Sequence, residues 1–139
     1  MKPYLMMIVF EGRGVPISSS AFVQSDATGR IIGVEGVFDA PCAHATFRSA
    51  LAATPIGLWE TGRISFEEIN SHLDFTTALP GESVVREDKS SSGAIAWRIT
   101  GGSGRFAGAS GMVTGNFIGE ADDSFVDYQV YKLFLPAPQ

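Results

Sequence analysis

Residues 97–117, WRITGGSGRFAGASGMVTGNF, place six glycines among twenty-one positions, flanked on both sides by apolar and β-branched side chains. Such a stretch either cradles a phosphate or lets a sheet turn a corner. The dinucleotide fingerprint G-x-G-x-x-G fails, because Gly102 and Gly104 are followed by Ala107, and no Gly-Lys-Ser/Thr completes a Walker loop. Phosphate cradles also open a helix, whereas the next segment, MVTGNFIG, is β-rich and broken by glycine. The glycines are therefore conformational: they permit positive φ and close backbone approach where a strand turns and a curved wall is built.

The rest of the chain reads as strands. YLMMIVFE is a short apolar run ending before GRG, and RIIGVEGVF follows the turn signal DATG. IGLWETGRISF and SHLDFTTAL alternate, with Leu58, Glu60, Ile64 and Phe66 sharing one parity, and Leu73 and Phe75 lying opposite His72 and Asp74. AIAWRIT, MVTGNFIG and VDYQVYKLFLP supply the closing strands. PCAHATFRSALAA is alanine-rich, spaces Phe47 and Leu51 four apart and stops before Thr54-Pro55, which predicts one short helix over 42–53. The polar stretch PGESVVREDKSSSG predicts a loop over a cavity, with a helical turn at its centre. The count is seven or eight strands without a fixed repeat, an all-β antiparallel barrel or sandwich with one short helix.

With 139 residues, 45% of them hydrophobic and 18% charged, the chain fits a single domain spanning 1–139. No apolar run approaches the ~20 residues of a membrane helix, and no secretory cleavage pattern follows the first apolar segment, so a cytoplasmic protein without membrane contact is expected. One cysteine excludes an internal disulfide, and two distant histidines argue against zinc. A net charge of −5 without a Lys/Arg cluster argues against nucleic acid. Small molecules and protein partners remain, and no cofactor signature is present.

The segment AWRITGGSGRFAGASGMVTG resembles the one shared by allene oxide cyclases and, more loosely, dirigent proteins, in which an apolar strand enters T-G-G-S/T-G-x-F-x-G-x-x-G and leaves as another strand. The similarity extends into FVDYQVYKLFLP and, weakly, FEGRGVP, about a third of the chain. The resemblance implies an eight-stranded antiparallel closed barrel with an apolar pocket, a fold also used by bacterial cyclases that template Diels–Alder closures, and an oligomer, dimer or trimer. Aligning Pro16 with the family's proline puts Met7 and Val9 where allene oxide cyclases carry the glutamate and asparagine that orient water and polarise substrate.

Several residues stand out as candidates. Glu60, on the more apolar face of its strand, would have a raised pKa there and act as an acid or base near neutrality; a solvated or Arg-paired carboxylate is the bland alternative. Arg98 can clamp a carboxylate or enolate, or simply point outward. Tyr128 shares parity with Val126, Val130 and Phe134 and is either a pocket donor or a core residue. These three are the catalytic candidates. Met7, Trp59, Phe75 and Trp97 form a pliable lining, while Asn116 and Glu35 offer polar contacts to a substrate. The expectation is a cofactor-free cyclase or isomerase that folds a hydrophobic, unsaturated intermediate into a reactive pose. The alternative is a lipocalin-like binder that releases its hydrophobic ligand unchanged.

Overall fold

Along each strand side chains point alternately inward and outward, and the sheet closes by burying the inner face of all of them. The computed structural model describes residues 1–17, 22–36 and 40–137. Eight strands run in sequence order: β1 Lys2–Pro16, β2 Phe22–Gly36, β3 His44–Thr54, β4 Gly57–Phe66, β5 Ser71–Val85, β6 Ser91–Ser103, β7 Ser110–Gly119 and β8 Ser124–Leu135. Every strand pairs antiparallel with its successor, and β8 returns to β1, with Met7 opposite Val130, so the barrel has no open edge. Two single 3-10 turns, Glu67–Ile69 and Gly104–Phe106, are the only helical elements among the described residues.

The helix expected over 42–53 is instead β3. Phe47 and Leu51 are an even number of positions apart, so the spacing that suits one helix face suits one strand face equally. Ala45, Phe47 and Ser49 point inward and are buried, while His44, Arg48 and Ala50 are exposed. Pairing with β2 and β4 on both sides overrides the helical preference of alanine. The stretch expected to form a loop with a helical turn, 80–93, is mostly extended: β5 and β6 run on through it as a hairpin, leaving a tight turn in which Arg86 N–H and Lys89 N–H bond to Ser90 and Arg86 carbonyls.

The glycine-rich segment does what its conformational reading requires. Gly104, Gly108 and Gly111 have φ of 59°, 74° and 134°, where L side chains are strained, and they carry β6 through the 3-10 turn into β7.

The interior is filled unevenly. Towards the end that holds the β4–β5 and β6–β7 turns, Tyr4, Phe66, Leu73, Phe106 and Leu133 are closely buried, with Phe66 and Phe106 rings 4.8 Å apart. The waist is an aromatic layer in which Phe75 lies 5.5 Å from Phe47 and 4.9 Å from Trp97. Beyond that layer buried polar side chains, Ser25, Ser49, Glu60, Thr77, Asp127 and Gln129, mix with the apolar Leu58 and Ile95, and the packing opens. Among the described residues no helix is long and apolar enough to cross a membrane.

Candidate functional site

The open end of the barrel encloses a chamber of about 240 Å³. Its floor is Phe47 and Trp97, its walls are Val23, Leu51, Leu58, Ile95, Phe117 and Phe125, and its mouth lies between Val85 and Lys89 of the β5–β6 hairpin and Asp123 and Ser124 at the start of β8. Of the acidic residues that line it, Glu60 on β4 and Asp127 on β8 are buried, while Glu120 and Asp123 are exposed at its rim. An apolar cavity of about 150 Å³ admits benzene. By that measure this chamber encloses a fragment of about ten heavy atoms, and any longer tail must leave through the mouth.

Glu60 owes its place to an irregularity in the sheet. Leu58 pairs with Gly81 and Thr61 with Thr76, so residues 59–60 of β4 face the longer run 77–80 of β5. The ladder breaks there, and the Thr77 hydroxyl mends it: Glu60 N–H donates to Thr77 Oγ1 at 2.6 Å, and that hydroxyl donates to the Glu60 carbonyl at 3.0 Å. Bulges of this kind aim a side chain while keeping backbone groups satisfied. The carboxylate accepts from Ser49 Oγ at 2.5 Å on one oxygen and from Trp97 Nε1 at 3.2 Å on the other.

Burial lifts the Glu60 carboxyl from 4.5 to about 7; the Ser49 hydrogen bond opposes the lift, Asp127 adds to it by like-charge repulsion, and Trp97 opposes it again. Asp127 is also raised by burial, from 3.8 to about 6, against the stabilising Gln129 amide. Gln129 Nε2 donates to Asp127 Oδ2 at 2.9 Å, and the Tyr131 hydroxyl donates to Gln129 Oε1, a relay leading from the core to the chamber. The other Asp127 oxygen, Oδ1, has no hydrogen-bond partner among the described residues. An added Cβ on Gly115 would lie 3.2 Å from that oxygen and 2.7 Å from the Trp97 ring, so glycine on β7 is what makes room for both groups. No Lys or Arg is buried among the described residues, and no cation is among the influences on either acid.

Of the nine candidate residues, Glu60, Phe75 and Trp97 face the interior. Glu60 and Trp97 line the chamber, and Phe75 supports the floor from beneath. The other six do not reach it. Tyr128 is 50% exposed because the inward set on β8 is the opposite one: Asp127, Gln129, Tyr131, Leu133 and Leu135. Both sets are apolar at one end, so parity identified the strand without identifying its inner face. Arg98 is exposed on the outside of β6. Asn116 also projects outward, and its backbone rather than its amide faces Asp127. Met7 and Trp59 lie on the outer face at 38% and 39% exposure. Glu35 is exposed because the β1–β2 register shifts between Met7 and Ile8, which reverses the inward parity beyond Ile31.

Asp127, Ser49, Thr77 and Gln129 were missed as candidates. Asp127 and Gln129 share the parity of Tyr131, Leu133 and Leu135, a signal present in the sequence once that face is taken as the inner one. Ser49 was hidden by the expected helix. Among the described residues no group of three or more His, Cys, Asp or Glu side chains is arranged to hold a metal ion. No family model, curated protein or solved structure matches the chain.

Proposed function

We propose that this barrel is a cofactor-free cyclase or isomerase that holds a hydrophobic, unsaturated fragment in the chamber and moves a proton through Glu60. The observation that carries the reading is the Glu60 carboxyl itself: a buried acid lifted to about 7, fixed by Ser49 and Trp97, and facing an apolar space. An acid with its pKa near the working pH is populated in both forms, which is the condition for efficient general acid–base transfer, an effect typically of about 10²–10⁴-fold.

Asp127 gives the chamber a second carboxyl of lower pKa, about 6. At neutral pH the pair favours one ionised and one protonated group, so one can receive a proton while the other supplies one. The apolar walls contribute shape: pinning a flexible fragment as a near-attack conformer removes up to about 7–11 kcal/mol of barrier in the best intramolecular cases. The barrel architecture agrees with the fold implied by the resemblance to allene oxide cyclases, while the acid on β4 and its partner on β8 are supplied by this chain's own sequence.

Native mass spectrometry of freshly purified protein, followed by incubation of any released molecule or its unsaturated precursor with wild-type and Glu60→Gln protein, tests the reading. Conversion by the wild type that is lost in the variant supports it. A guest that enters and leaves unaltered, with no rate effect, makes the barrel a carrier.

A further inference from the structure

The outer face of β8, β1 and β2 carries a seam of apolar side chains that no other described element covers. Leu5, Met7 and Val9 run along its centre on β1, with Val130 and Tyr128 beside them on β8. Contiguous apolar patches of this kind mark interfaces.

The cross-strand register says what fits there. Leu5 is flanked by Lys132 on the β8 side and by Glu35 on the β2 side. Met7 is flanked by Val130 and by Gly33, which has no side chain. Val9 is flanked by Tyr128 and by Arg30. Lys132, Glu35 and Arg30 are exposed, and none has a side-chain ion pair or hydrogen bond among the described residues.

Each row is therefore the complement of its own reverse. We infer that a second copy of this chain docks on this face about a twofold axis running along β1. That operation exchanges the β8 side with the β2 side while keeping each row in place. Lys132 then meets Glu35 of the second copy, the Tyr128 ring meets its Arg30, and Val130 meets the space over its Gly33, each twice. Face-to-face sheet packing with strands within about 30° of each other permits this arrangement, and isologous contacts of this type are the commonest in homodimers. Arg over an aromatic face is a favourable pair in its own right. A twofold axis across the strands at Met7 would instead bring β8 onto β8, placing Lys132 over Tyr128 and Glu35 beside Arg30 of the second copy; Lys132 and Glu35 never meet in that arrangement, so mixing their charge-reversed variants would not restore the contact.

Sedimentation and native mass spectrometry of the purified chain test the inference. The expected species is a dimer, twice 14.8 kDa. Lys132→Glu alone and Glu35→Lys alone each create two like-charge contacts and should weaken the dimer about tenfold or more, with unchanged circular dichroism. Mixed in equal amounts, the two variants should reassociate as a heterodimer, because each wrong charge then meets its opposite. Met7→Lys, at the centre of the seam, should give a folded monomer. A wild-type monomer or trimer, undiminished self-association of either charge variant, or a mixture that does not reassociate would each overturn it.

Discussion

The indole N–H of Trp97 on β6 donates a 3.2 Å hydrogen bond to Glu60 on β4, reaching past β5, the strand that pairs with both. The contact crosses the barrel interior rather than its wall. It ties the aromatic floor to the acid, so the shape of the chamber and the chemistry of its carboxyl depend on the same ring.

Glu60→Gln keeps the size of the side chain and an oxygen for Trp97 to donate to, while removing the proton that titrates. Turnover on an identified substrate should fall about 10²–10⁴-fold, the usual contribution of a positioned acid or base. Binding of a small apolar probe should persist. Kinetics and calorimetry on the same preparation separate the two effects.

Ser49→Ala removes the strongest influence holding the Glu60 carboxyl down. Its midpoint should then rise above about 7, and the corresponding limb of any pH–rate profile should move alkaline. The shift is measurable without a substrate, by carbon NMR of labelled glutamate carboxyls. An unmoved midpoint would show that Ser49 merely fills space.

Leu51 borders the chamber without touching either carboxyl's hydrogen bonds. Leu51→Trp should fill the space and abolish stabilisation by indole, whose nine heavy atoms suit the volume. Wild-type protein at a hundredfold excess of indole over its dissociation constant should gain about 2.7 kcal/mol, read as a higher melting temperature. Equal stabilisation of the variant would place the probe elsewhere.

Stability should depend on pH with a sign set by the interior acids. Glu60 and Asp127 have folded values raised above their unfolded ones, so the native state binds their protons more tightly. Their stabilising effect is complete below about 4 and is lost as pH rises through about 6 for Asp127 and about 7 for Glu60. Glu60 alone accounts for on the order of 3 kcal/mol at about 1.4 kcal/mol per unit. The half-buried Asp74 and the exposed Asp88 and Asp122, each held low by hydrogen bonds, act in the opposite direction and only at more acidic pH. Between pH 5 and 8 denaturant midpoints should fall for the wild type, and fall less for Glu60→Gln.

The barrel was readable because alternation with period two survives in most strands, and because six glycines fit a turn into another strand and no phosphate motif. Glu60 was readable for the same reason: Leu58, Ile64 and Phe66 share its parity, and all are buried. Two features defeated the pattern. An interval of four residues is ambiguous between a helix face and a strand face, which disguised β3 and with it Ser49. A strand with apolar residues on both sides, as in β8, does not say which side is inner, and that choice assigned Tyr128 to the site in place of Asp127. Tyr128 is apolar-flanked because it lies on the exposed outer seam. Val126, Val130 and Phe134, which share its parity, lie with it on the outer side of the wall.

Carbon NMR titration of glutamate carboxyls, with and without indole, probes the central claim most directly. One glutamate should titrate near 7, its signal should vanish in Glu60→Gln, and its midpoint should rise further when indole excludes water from the chamber. If every glutamate titrates near 4.5 and none responds to indole, Glu60 does not face an apolar chamber and the account fails.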